Sequence, residues 1–561
     1  MPTIIIDEQE IEFQPGETII QAARHHGIEI PHFCWHPELS VSGNCRICLV
    51  EVEKMPKLVI ACSTIASEGM VVHTKSEKTI DAQNAVMEFI LINHPLDCPI
   101  CDEAGECKLQ DYAYNYSVGE SRFIEEKNHK QKHVELGPRV MFDGERCISC
   151  SRCIRFCDEI AKKPELTFVQ RGDRVTISTY PGQQMVNPYS MNTIDICPVG
   201  ALTNIDFRFK ARVWDMSSTK SVCTGCSRGC NIDVWVRNNE ILRLTPRYNE
   251  QVNSYWMCDD GRLNTFKYVN ADDRVDSPLI RREGQLEKVN WEEAFAETVS
   301  RIKSFSKDEI AFVGSAYATC EDNYIFAKFA RSVIGCGNID IVQHIDPEFG
   351  DDILRVNDVT PNTMGAKLAG VSPSKSGLGI DGIKKAIREG KVKALYILED
   401  DIITEDPQFE NIITKLDLLV VHSTNHNKTT ALADIVFPAS SYAEKNGTFV
   451  NVNKIVQRIR PAVTTVDADR ALDGMEMSRL DKFGTEFDRW ATGEKMDAKA
   501  SWKILVSLSG LFEQKMKFNM AEEVFADIAK NIDAFKGLNY DDVGDSGVKL
   551  NYQFIEQNVN A

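Results

Sequence analysis

Nowhere in this 561-residue chain does an uninterrupted apolar run approach the roughly 18–20 residues that a membrane-spanning helix needs. Basic residues are also scarce: 64 Lys and Arg stand against 83 Asp and Glu, a net charge of −19. Phosphate contacts need clustered Lys and Arg, so no nucleic-acid partner is expected, and the acidity reads as a solubility feature. The N-terminus, MPTIIIDEQEIEF, lacks a basic segment leading into an apolar one and alternates like a strand, so no export signal is expected. Heptads, tandem repeats, low-complexity tracts, a P-loop and an HExxH motif are missing too. These absences place the chain in a reducing, cytoplasmic setting, with any membrane association made through partners.

What the chain does have is cysteine. Eighteen cysteines in a reducing compartment are better explained as metal ligands or catalysts than as disulfides. Sixteen precede residue 260, and only Cys320 and Cys336 follow it. The N-terminal half therefore reads as a metal-bearing region and the C-terminal half as a scaffold. With 43% hydrophobic and 26% charged residues, the length allows three or four ordinary globular domains with substantial cores.

The patterning agrees with that division. Residues 2–14 read as a strand, followed by a turn and a helix over 18–26 that Gly27 ends. CLVEVE and KLVIACS add strands, and 79–93 has helical apolar spacing. The charged stretch 120–136 reads as a solvated connector. Compact cysteine-rich segments span 138–210 and 217–272. Beyond Pro278, strand-like runs (IAFVG, KALYILED, LDLLVV, ADIVFPA) alternate with helical ones (NYIFAKFARSVIG, GIKKAIREG), an α/β layer signature. Two more helices, ASWKILVSLSGLF and MAEEVFADIAKNI, lie in the last hundred residues.

The cysteines fall into four groups. Cys34, Cys45, Cys48 and Cys62 have a tight Cys-x2-Cys with one ligand on either side, as in loops that wrap a [2Fe–2S] cluster; zinc also accepts four thiolates, but the β-rich host and uneven spacing favour iron–sulphur. The second group is His94, Cys98, Cys101 and Cys107 in NHPLDCPICDEAGECKLQD, which taken alone suits zinc as well as it suits iron–sulphur. Cys147, Cys150 and Cys153, with a remote Cys197-Pro198, follow the bacterial [4Fe–4S] signature. Cys157 competes for the fourth place but precedes Asp158 instead of Pro, and reads as a packing residue. The fourth group, Cys223, Cys226, Cys230 and Cys258, suits [4Fe–4S], with zinc second. Three iron–sulphur neighbours tip the second group the same way. Cys320 and Cys336 read as buried core thiols.

The motifs FCWHPELSVSGNCRICLVEVE, HPLDCPICDEAGECKLQD, RCISCSRCIRFCDEI and DICPVGAL resemble those of the large iron–sulphur subunit of the peripheral arm of respiratory complex I. That resemblance implies a multidomain α/β chain: a ferredoxin-like β-grasp domain (1–78), a His/Cys3 [4Fe–4S] segment (79–119), a ferredoxin-type [4Fe–4S] domain (138–210) and a further [4Fe–4S] domain (217–272). A reduced molybdopterin-oxidoreductase-like α/β scaffold (273–460) and a C-terminal mixed region (461–561) follow. It implies one [2Fe–2S] and three [4Fe–4S] clusters on the four groups in order, no molybdenum, and no substrate site of the chain's own. Implied partners are the flavin/NADH-binding subunit, a thioredoxin-like [2Fe–2S] subunit and the quinone-proximal iron–sulphur subunits, at the cytoplasmic face of the inner membrane. The C-terminal half is similar to molybdopterin oxidoreductases such as formate dehydrogenase, through LIRREGQLEKVNWEEAF, ADIVFPASSYAEKNGTFVNVNKIVQR and ASWKIL. The alternative reading, a working molybdenum formate dehydrogenase, would need a metal ligand in NIDIVQHIDPEFG; that stretch has no cysteine and offers Asp346 instead.

Two features read as decoys. GLGIDG (377–382) fits the dinucleotide fingerprint formally, but a loop, VSPSKS, precedes it where a strand is required. His25, His26, His32 and His36 cluster around Cys34, whose cysteine quartet is already complete, and surface or supporting roles are expected for them.

Overall fold

The computed structural model describes residues 1–467, 473–484 and 496–551, so the C-terminal region expected at 461–561 lies partly outside the described residues. The chain divides into two compact units, Met1–Trp214 and Asp215–Ala561.

The first unit opens with a five-stranded mixed sheet. Its spatial order is Gln9–Glu12, Thr3–Ile6, Val71–His73, Leu49–Val52, Val59–Ile60, with Thr3–Ile6 and Val71–His73 parallel. Residues 2–14, expected as one strand, form a hairpin instead: Asp7 and Glu8 take φ of 47° and 73°, which reverses the chain between two strands. Helix Ile19–His25 starts at a Thr18/Gln21 capping box, and Gly27 at φ +74° follows its end. Its Ile19, Ile20, Ala22 and Ala23 pack with Ile4, Ile6, Val50 and Val72 in the sheet's core; each large aliphatic buried this way contributes about 1.5–3 kcal/mol. Helix Glu77–Leu91 buries Thr79, Gln83 and Met87, a stripe with a spacing of four. Gln83 Nε2 donates to the Leu49 carbonyl, and the Glu51 amide donates to Thr79 Oγ1, so the helix is hydrogen-bonded onto the sheet.

The connector 120–136 is without helix and mostly exposed, as its charge suggests, yet its lysines are tied down. Lys127 Nζ donates to the carbonyls of Leu91 and Ile92, and Lys132 Nζ pairs with Asp97 and Glu145.

In the second unit a four-stranded antiparallel sheet orders Glu240–Pro246, Asn231–Arg237, Ser217–Val222 and Met475–Glu476. A seven-stranded sheet follows, ordered Gln285–Lys288, Leu279–Arg282, Ile435–Pro438, Leu418–Ser423, Ala394–Leu398, Ile310–Gly314, Ile339–Ile341, with the last five strands parallel. Its four central strands, Ile310–Gly314, Ala394–Leu398, Leu418–Ser423 and Ile435–Pro438, are buried along their whole length because both faces are covered. Along Ile310–Gly314, Phe312 faces a core shared with Trp502 and Phe525, while Ala311 and Val313 face one shared with Ile383 and Phe409.

Candidate iron–sulphur sites

All four cysteine groups assemble in space. In the first, the Cys34 amide points at Cys45 Sγ (3.4 Å), the thiols of Cys45 and Cys62 bond to that of Cys34, and Cys48 bonds to Cys62. The shared hydrogen bonds pull Cys34 far down towards the thiolate and push Cys45 and Cys62 far up. Gly43 and Arg46, both in the left-handed region, curl the loop around the quartet.

The second group lines one cavity of about 400 Å³, with His94, Cys98, Cys101 and Cys107 all in its wall. Burial, then the charges of Arg146 and Lys127, lower His94 to about 4, so its imidazole is neutral at pH 7. Burial pushes Cys107 up to about 11. The far wall is Gly200, where an added Cβ would stand 2.3 Å from Cys101 Sγ. Arg146, pinned by Asp97 and Asp143, reaches the Gly200 carbonyl.

In the third group Ser149 and Ser151 take φ of 54° and 62° between the cysteines. That alternation turns successive amides inward, a nest of the kind that receives anions and iron–sulphur clusters. Cys153 lies in the electrostatic neighbourhood of Cys150, Cys147, Cys197 and Cys157. Cys157 is wholly buried, and desolvation pushes it up to about 12. Segment 197–200 serves two groups at once: Cys197 belongs to the third, while the Pro198 carbonyl lies 3.9 Å from Cys107 Sγ. The first and third groups also adjoin, since Cys34 lies among the charges acting on Cys150. Cys45, His94 and Cys147 line one further cavity, so all three groups of the first unit meet there.

The fourth group sits on the hairpin between Ser217–Val222 and Asn231–Arg237, closed by Cys258 at the start of helix Asp259–Asn264. Cys223 and Cys230 are driven well above the ordinary thiol range, first by burial and then by the other cysteines of the group.

One feature recurs in every group: the amide two residues on donates to the cysteine sulphur. It is Ile47 to Cys45, Glu103 to Cys101, Leu109 to Cys107, Ser149 to Cys147, Arg152 to Cys150, Gly225 to Cys223 and Arg228 to Cys226. Such donors stabilise the thiolate over the thiol. They come from local backbone shape, and neither they nor Arg146 and Gly200 could be read from cysteine spacing.

The decoys resolve simply. A loop precedes GLGIDG, and Gly379 begins helix Ile380–Arg388. Asp346 is exposed, its carboxylate accepting the Glu348 amide. His25 pairs with Glu17, His26 bonds the Glu12 carbonyl, His32 bonds the Ile30 carbonyl, and His36 is buried and lowered to about 3 by desolvation. Cys320 and Cys336 are core residues, bonded to Asn362 and to the Ile310 carbonyl.

Known families match the chain in the same succession. Residues 1–77 match the 2Fe-2S iron-sulfur cluster binding domain, 83–122 the NADH-ubiquinone oxidoreductase-G iron-sulfur binding region and 137–203 the ferredoxin-like domain of NADH-quinone oxidoreductase subunit 3. Residues 216–270 match the molybdopterin oxidoreductase Fe4S4 domain, and 274–364 and 354–471 the molybdopterin oxidoreductase family. The G subunit of NADH-quinone oxidoreductase from Rickettsia bellii is 41% identical over 346 residues, 61% of this chain and 50% of that protein. Its counterpart from Streptomyces coelicolor is 38% identical over 380 residues, 67% of this chain and 44% of that protein. G subunits of NADH-quinone oxidoreductases are among the chain's homologues. The chain spans about half the length of these relatives. A chain of an NAD+-reducing [NiFe]-hydrogenase is similar at 30% identity with a TM-score of 0.35, over 38% of this chain and 91% of that one.

The residues present fit iron–sulphur binding: thiols in fours, or three with one neutral imidazole, most of them buried while Cys98 is exposed, with amides aimed at sulphur and a cradle at Gly200 that a single Cβ would fill. Among the described residues no group of three or more His, Cys, Asp or Glu side chains is already closed around a point where a metal ion could sit. They do not fit a molybdenum pterin. The cavity at the carboxyl ends of strands Ala394–Leu398 and Leu418–Ser423, where open α/β sheets bind ligands, holds about 370 Å³ and is lined by Glu399, Asp400, Asp401 and three tyrosines. Neither Lys nor Arg lines it to meet an anionic phosphate. Nearby Lys445 is held by Asp322 and Glu399.

Proposed function

We propose that this chain is the electron-carrying iron–sulphur subunit of an NADH–quinone oxidoreductase, without a substrate site of its own. Cys34, Cys45, Cys48 and Cys62 would hold [2Fe–2S]. His94 with Cys98, Cys101 and Cys107, Cys147 with Cys150, Cys153 and Cys197, and Cys223 with Cys226, Cys230 and Cys258 would each hold [4Fe–4S]. Such clusters, when bound, supply one-electron oxidation and reduction. The protein's part is to hold the sulphurs as thiolates, tune them with amides and nearby charge, and keep water away. The observation that carries this reading is the adjacency of groups in the first unit: Cys34 beside Cys150, and segment 197–200 shared with Cys101 and Cys107. Separate structural metal sites have no need to touch. His94 replaces a thiolate with a neutral ligand and sets the second site apart in charge.

We place the domain limits at 1–78, 79–119, 138–210, 217–272, 273–460 and 461–561. Electrons would enter from a flavin/NADH-binding subunit and its thioredoxin-like [2Fe–2S] companion, and leave to quinone-proximal iron–sulphur subunits at the cytoplasmic face of the inner membrane. No helix among the described residues is long and apolar enough to cross a membrane, so that attachment is assigned to partners.

Iron, labile sulphide, zinc and molybdenum in protein isolated without oxygen test the reading. It expects about 14 iron atoms per chain and no zinc. Zinc in place of iron would overturn it, and roughly one molybdenum per chain would restore the formate dehydrogenase alternative.

A further inference from the structure

Between the first and third cysteine groups lies a cation with no counter-ion of the ordinary kind. Arg152 is 4% exposed. Its Nη1 donates to the Ile196 carbonyl (3.1 Å), next to Cys197, and its Nη2 to the Trp35 carbonyl (2.5 Å), next to Cys34. Its buried Nε has no acceptor, and among the described residues no carboxylate pairs with it. The anionic groups that act on it are thiols from both sides: Cys150 and Cys197 of the third group, Cys34 and Cys45 of the first.

A guanidinium stays protonated, and burying one without an anion is strongly unfavourable. Two carbonyls satisfy some of its hydrogen bonds but none of its charge. The neighbouring imidazole, His36, can carry positive charge or none and so offers no compensation. What remains as counter-charge is the two sets of thiolates flanking it.

We propose that Arg152 is the shared counter-charge of the first and third sites and raises the reduction potentials of both. The inference rests on the reading above that these two sites hold iron–sulphur clusters. Each electron added to either site adds one negative charge beside a fixed positive one, so Arg152 favours the reduced form at both. Arg155, one turn on, also spans the two groups by donating to the Cys34 and Cys150 carbonyls, but it is half-buried, and solvent screens its charge. Arg152 is a positioning and tuning residue, and it ligates nothing.

The test is a redox titration of the full chain, isolated without oxygen and loaded with iron and sulphide. Dithionite serves as reductant, and the two paramagnetic signals are followed by electron paramagnetic resonance. Arg152→Gln removes the charge, and Arg152→Lys keeps it while losing the planar fork. R152Q is expected to shift the one-electron reduction equilibrium of both sites at least tenfold towards the oxidised form, about 59 mV each. R152K is expected to stay within about threefold of the parent. A merely structural role would move R152K as much as R152Q, and that result overturns the proposal. So does an R152Q protein in which both potentials stay put or only one moves. Should R152Q fail to load iron, R152K decides alone: a joint tenfold fall with the charge retained refutes the idea. Missing signals in the parent chain would instead count against the cluster assignment itself.

Discussion

Gly200→Ala is the sharpest probe of the second site. The backbone there is not left-handed, so alanine meets no strain of that kind, and the change adds one methyl group. That methyl would stand 2.3 Å from Cys101 Sγ and 2.9 Å from Glu103 Cβ, whereas ordinary contact begins at 3.4 Å. Something must therefore yield by about 1 Å, the displacement at which a preorganised site stops working. The backbone of 198–200 resists, because Arg146 holds the Gly200 carbonyl. The sulphur yields. In an iron-free chain a thiol turns aside cheaply, and stability should fall by no more than about 1 kcal/mol, the low end for overpacking. A ligand cannot turn aside and still bind. Iron should drop from about 14 to about 10 atoms per chain, with loss of one [4Fe–4S] signal and retention of the others. Anaerobic iron and sulphide analysis with paramagnetic resonance reads both quantities. An unchanged iron count with every signal intact would show that Cys101 takes no part in a cluster walled by Gly200.

Gly261→Ala, whose Cβ would lie 2.9 Å from Cys223 Sγ and 3.3 Å from Cys258 Sγ, should remove four irons from the fourth site alone; loss from any other site would contradict the grouping. Lys445→Met leaves buried Asp322 and Glu399 uncompensated and should lower the urea stability of the second unit by about 3–5 kcal/mol. A loss below about 1 kcal/mol would mean that the carboxylates are already neutral. Burial raises Glu321 from 4.5 to about 7, while the Thr448 amide and hydroxyl and Tyr540 bond to it. The folded chain thus keeps a proton that the unfolded chain releases, so stability should decline by about 3 kcal/mol as pH rises from 4.5 to 7 and then level off. Glu321→Gln should flatten that slope in pH-dependent urea unfolding, and a slope that persists in the variant would assign it elsewhere.

How much of this was legible in the sequence depended on whether the information was local. Cys147-x2-Cys150-x2-Cys153 is a local signature, as are the apolar runs of Ile310–Gly314, Ala394–Leu398 and Leu418–Ser423. Strand Ser217–Val222 was not legible, because it is SSTKSV and buries small hydroxyl side chains where a pattern search looks for aliphatics. Ile339–Ile341 is too short to rise above its loop. The hairpin at Asp7–Glu8 was hidden because apolar residues continue on both sides of a turn that lacks Gly and Pro. Arg152 and Gly200 could not be singled out, since Arg152 meets Trp35 across 117 residues of sequence and Gly200 meets Cys101 across about a hundred. Spacing identifies candidate ligands, and folding selects the residues that surround them.

The sharing of segment 197–200 has a consequence for biosynthesis. All four candidate ligands of the second site have been synthesised by residue 107, but the wall that confines them follows only with Gly200, 93 residues later. At about 5–20 residues per second, that pocket stays open on one side for about 5–20 s of every round of translation. Cys197 completes the third site in the same moment that Gly200 closes the second. The cellular machinery that delivers iron and sulphide therefore meets a chain whose first site can be filled early, while the next two become ready as a pair.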